Sequence, residues 1–96
     1  MAALSNRVIT IYNRKTSIRL APAEWAALDN ICQTENIPRK TLFELIDINR
    51  DTKLNLTSSI RLFTIIYYKI ALHQIENNPL QKEDTSPVFE AIKGIL

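Results

Sequence analysis

Along Arg14-Lys15-Thr16-Ser17-Ile18-Arg19-Leu20 the side chains alternate in character. In an extended strand this puts Thr16, Ile18 and Leu20 on one, mostly apolar, face and Lys15, Ser17 and Arg19 on the other. Upstream, Arg7-Val8-Ile9-Thr10-Ile11-Tyr12 is β-branched or aromatic after its first residue and predicts a second strand over 7–12. Asn13 and Arg14 supply a turn without the usual glycine, so the pattern fits either a hairpin or two separate strands. In a hairpin, the strand over 15–20 would keep one unpaired edge, able to pair with the same strand of a second copy.

After Leu20 the period changes from two to three or four. Pro22 suits the first turn of a helix, Glu24 complements the positive end of its dipole, and Trp25, Leu28, Ile31 and Cys32 recur at helical spacing, predicting a helix over 22–35. Asn36 and Pro38 break it. A second helix over 38–47 carries Leu42, Leu45 and Ile46 on one face with Phe43 beside them. The polar run Asp47 to Asn55 reads as a loop. A longer helix follows over 57–75, with Thr57 or Ser58 as its expected N-cap. It is apolar on several faces, more than a small domain can bury by itself, which points to a dimer or a higher oligomer. Residues 76–87 have the composition of a linker. Val88 to Leu96 forms a short amphipathic tail, either packed back on the helices or offered to a protein partner. The expected organisation is one domain over 1–75, then a linker and tail over 76–96.

Charge sharpens this picture. The chain of 96 residues has a net charge of only +2, but residues 1–20 hold Arg7, Arg14, Lys15 and Arg19 with no acid. The remaining residues hold eight bases and ten acids. The basic end is the strand end, which favours a polyanion partner for one face. A two-stranded ribbon fits the major groove, where Arg or Lys pairs with guanine and a hydroxyl pairs with either kind of base. The second helix begins with Arg39, Lys40 and Thr41, and cations disfavoured by the dipole there would be stabilised by a phosphate.

Composition also excludes. A single glycine, Gly94, leaves no glycine-rich phosphate loop, and a lone Cys32 leaves neither an intrachain disulfide nor a metal cluster, favouring a reducing compartment. His73 has no second ligand nearby. No stretch approaches the roughly 18 apolar residues of a membrane span, and no signal-peptide run opens the chain. The expectation is a cytoplasmic protein without cofactor or metal, and not an enzyme.

The wording Arg-Lys-Thr-Ser-Ile-Arg-Leu-Ala-Pro-Ala-Glu-Trp, then Ile37 to Ile46, then Asn55-Leu56-Thr57-Ser58-Ser59-Ile60-Arg61-Leu62-Phe63, resembles the ribbon-helix-helix (MetJ/Arc-type) family of DNA-binding regulators. Within it, the chain is similar to a bacterial subfamily with an extra N-terminal strand and a third helix, over residues 7 to 70. The resemblance implies a mainly α fold with a short β-ribbon, an intertwined homodimer with an added C-terminal helix. By position it assigns base contacts to Lys15, Ser17 and Arg19 and phosphate contacts to Arg39, Lys40 and Thr41. It implies a repressor of transcription reading double-stranded DNA. The alternative is an antitoxin-like or adaptor module using the helix over 57–75 or the tail over 88–96. Asn36 and Pro38 stand where many relatives have a glycine and a hydroxyl cap, removing one phosphate ligand.

Overall fold

The computed structural model describes residues 4–77 and 87–96, giving the order β1 (Ser5–Ile11), β2 (Arg14–Leu20), α1 (Pro22–Glu35), α2 (Arg39–Asn49), α3 (Leu56–Asn77) and α4 (Pro87–Ile95). Most of the expected linker, residues 78–86, lies outside the described residues.

The two strands form an antiparallel hairpin, with Ile11 opposite Arg14 and Ser5 opposite Leu20. The turn is Tyr12-Asn13, both left-handed at φ 48° and 64°, the conformation that matches the twist of a two-residue hairpin. It sits one residue earlier than the sequence predicts. A left-handed tyrosine is uncommon, and this one is tied down: its N–H donates to Glu44 Oε2 at 3.2 Å and its hydroxyl to the Glu44 carbonyl at 3.4 Å. β1 also starts two residues earlier than expected. Ser5 and Asn6 have no strand-like side chains, but Leu20 and Arg19 recruit them as partners.

Ala21 precedes α1, and its N–H donates to Glu24 Oε1 at 2.8 Å. The same carboxylate accepts Arg61 Nε at 2.9 Å, fastening the start of α1 to α3. α1 ends where Asn36 turns left-handed, with φ 55° and ψ 48°. Ile37 N–H then closes on the Cys32 carbonyl at 2.9 Å, the bond of a Schellman termination. Pro38 is extended at ψ 145°, so α2 begins at Arg39 rather than at Pro38. It runs two residues past the expected end, since Asn49 Nδ2 donates back to the Leu45 carbonyl at 2.8 Å. The N-cap of α3 is Asn55, whose Oδ1 accepts Ser58 N–H at 2.8 Å. Neither Thr57 nor Ser58 takes that place.

A single apolar core joins all six elements: Ile11, Ile18 and Leu20 from the sheet, Trp25, Leu28 and Ile31 from α1, Leu42, Phe43 and Ile46 from α2, Ile60 and Phe63 from α3, and Val88, Ala91 and Ile95 from α4. The tail therefore packs back, and it closes a loop as it does so, since Asp51 N–H donates to the Ile95 carbonyl at 3.1 Å. α4 lies so close to α3 that a Cβ on Gly94 would come within 2.8 Å of Ile66 Cδ1. This contact explains how α3 can be apolar on several faces. α4 covers one of them, and Ile65, Tyr68 and Leu72 stay exposed on another.

Candidate nucleic-acid interface

The register of the hairpin decides what the outer face of the sheet carries. Lys15 lies opposite Thr10, Ser17 opposite Val8 and Arg19 opposite Asn6. Directly opposed residues share a face, so the three expected base-contacting residues stand beside a row from β1. All six are exposed, and none is acidic. Ser17 Oγ donates to Asn6 Oδ1 at 2.5 Å, crossing diagonally between the strands.

A two-residue turn makes Ile11 and Arg14 a hydrogen-bonded pair, after which bonded and non-bonded pairs alternate. The backbone groups of Arg14, Thr16, Ile18 and Leu20 therefore point at β1. Those of Lys15, Ser17 and Arg19 point the other way, along the edge of β2 that no strand covers among the described residues. Hence the residues whose side chains form the polar face also hold the free backbone edge.

The start of α2 is set by Trp25. Its indole Nε1 donates to the Ser5 carbonyl at 3.0 Å, and the Arg7 guanidinium lies over the ring, 4.5 Å from its centroid. The Arg39 guanidinium approaches the same ring at 5.7 Å and bonds through Nη2 to Asp29. Trp25 thus holds the first residue of α2 beside the open end of the hairpin. Arg39 is half-buried there, and its Nε has no hydrogen-bond partner among the described residues. Lys40 and Thr41 are exposed. Pro38 offers no side chain to cap the helix, so the first N–H groups of α2 accompany these residues without a competing ligand from the cap.

Three contributors were invisible to side-chain pattern alone. Asn6 matters only once the register is known, Arg7 points toward the helices rather than outward with the other bases, and Asp29 reads as one more surface acid. No group of acids, histidines or cysteines among the described residues is arranged to hold a metal ion. No helix of the described residues is long and apolar enough to cross a membrane. Cys32 is half-buried, and burial raises its thiol pKa, with Arg39 opposing and Asp29 reinforcing the shift.

The site is therefore a basic, acid-free sheet face followed by two helices, the second opened by cations. The ribbon-helix-helix domain matches residues 4–68, and the chain belongs to the ribbon-helix-helix family, whose members are in general DNA-binding regulators of transcription and typically dimerise. No curated protein and no solved structure matches the chain.

Proposed function

We propose that this protein is a sequence-specific repressor that binds double-stranded DNA as a homodimer, reading the major groove with the outer face of β2. The observation that carries the reading is that Lys15, Ser17 and Arg19 are exposed on a strand whose outer edge no strand covers among the described residues. Antiparallel pairing of that edge with a second copy joins all three backbone positions when Ser17 lies on the two-fold axis, opposite its own copy. Lys15 then faces the partner's Arg19. Two cations in register repel each other, and a duplex offsets that repulsion, so DNA favours the dimer as the dimer favours DNA.

Within this arrangement Lys15 and Arg19 pair with guanine O6 and N7, and Ser17 contacts the central base pairs. Lys40, Thr41 and the first N–H groups of α2 hold phosphate. Arg39 uses Nη2 for Asp29, and its Nη1 can serve a phosphate as well. Two copies of Arg39 and Lys40 make about four phosphate contacts, so log affinity falls against log salt with a slope of roughly −3 to −4.

Selection of bound sequences from a random duplex pool tests the reading. The expected result is an inverted repeat bound with that salt slope. Absence of duplex binding at every salt concentration overturns it and leaves an adaptor. Ile65, Tyr68 and Leu72 favour α3 as the surface of such an adaptor, since the apolar side of the tail is already occupied.

A further inference from the structure

The chain brings a second strand to a groove that a two-stranded ribbon already fills, and this constrains what β1 can do. Strands are about 4.8 Å apart, so with β2 and its copy flanking the two-fold axis, β1 lies roughly 7 Å from that axis. The major groove is about 12 Å wide, so its walls stand closer to the axis than β1 does. β1 therefore runs beneath the sugar-phosphate walls, too far out to read bases itself. Its Asn6 nonetheless reaches inward to Ser17, which sits where bases are read.

We propose that Asn6 is a specificity-determining residue that acts through Ser17, fixing the polarity of its hydroxyl. A serine hydroxyl can donate one hydrogen bond and accept two. Here the proton is committed to Asn6 Oδ1, so Ser17 presents lone pairs alone to the groove. An acceptor at that place pairs with the amino groups of adenine N6 or cytosine N4 and is repelled by guanine O6 and thymine O4. Asn6 keeps its amide N–H groups for a phosphate at the wall. β1 thus becomes a support that sets the chemistry of the central contact. This inference rests on the major-groove reading above.

The test is selection from a random duplex pool with the full-length protein and its Asn6→Ala and Asn6→Asp variants, with thermal melting of each to check the fold. One hydrogen bond is worth roughly a two- to tenfold preference. The wild type is expected to prefer, by about that factor, central steps that put an amino-bearing base at one fixed position of each half-site, and so to take AT together with CG or TA together with GC. Asn6→Ala frees the hydroxyl to rotate, so the central preference drops to within about twofold while the flanking Lys15 and Arg19 positions keep theirs. Asn6→Asp retains the acceptor and is expected to keep the central preference at lower overall affinity, because it adds a negative charge beside phosphate. An Asn6→Ala variant that melts like the wild type and selects the same central bases overturns the inference. So does a wild type that makes no such division among the central steps. If the wild type binds no duplex, the DNA reading itself fails instead.

Discussion

Arg19 and Lys40 are both exposed cations, yet the proposed reading gives them different work. Arg19 projects from a strand face that hydrogen bonds keep in register, the condition under which a guanidinium can discriminate base edges. Lys40 sits at a helix start, where a point charge meets phosphate regardless of sequence. Arg19→Ala is therefore expected to lower discrimination at one position by about 1 to 3 kcal/mol, with melting unchanged. Lys40→Ala should weaken all duplexes alike and reduce the steepness of the salt slope by about 2, one contact from each copy. Competition binding against single-base variants of the selected site, repeated across salt concentrations, separates the two. Equal effects from both substitutions would remove the distinction between reading and clamping.

Deeper in the same residue set, a half-buried thiol and a buried phenol link stability to alkaline pH. The thiol of Cys32 lies above its ordinary value near 9 because burial disfavours the thiolate. Tyr67 is raised as well, first by burial and then by its hydroxyl bond of 2.7 Å to Glu35. A raised pKa means the folded state holds its proton more tightly than the unfolded chain does. The stabilisation is complete below the unfolded values and is lost as pH climbs past them toward the folded ones. Melting temperature should stay level from neutrality to about pH 8.5 and decline above about pH 9, with Cys32→Ala removing the first part of the decline. At neutral pH the thiol should react with a disulfide reagent far more slowly in the native protein than in denaturant.

At the scale of elements, α1 shows how a non-glycine terminator shapes the sequence. Asn36 occupies the left-handed region, which asparagine tolerates and most side chains do not. Asn36→Gly should leave stability unchanged or raise it slightly, whereas Asn36→Val should cost about 1 to 2 kcal/mol, a drop of roughly 4–8 °C or more in melting temperature. An unaffected Asn36→Val would show that the turn has other conformations open to it. Asn36 and Pro38 were legible because their conformational preferences are local. So was β2, whose alternation needs no partner to be seen. The Tyr12-Asn13 turn was not, because Tyr12 is held by Glu44, a residue 32 positions away. The cap of α3 was hidden for a different reason: Asn55, Thr57 and Ser58 are all suitable chemically, and only the backbone path chooses among them. On the candidate interface, pattern located the three outward residues of β2. It could not locate Asn6, because cross-strand register is a tertiary fact.

For the whole molecule, the decisive property is that one chain completes its own core. Ile18, Leu20, Leu28, Ile31, Leu42, Phe43, Ile46, Ile60 and Phe63 have no exposed surface without any partner, because α3 and α4 close over the sheet and the first two helices. An intertwined dimer, whose halves complete each other's cores, melts at a temperature that rises with concentration. Two self-sufficient chains joined at a strand edge can part without unfolding. Ser17→Pro distinguishes these cases. Its N–H points away from β1, so proline spares the hairpin ladder while removing a donor at the proposed two-fold axis, the edge position where sheets tolerate proline. The expected variant is monomeric by sedimentation, melts within a few degrees of the wild type at all concentrations, and binds no operator. Should it instead unfold, the edge-joined dimer of independent folds is wrong. The partner would then have to be part of the core.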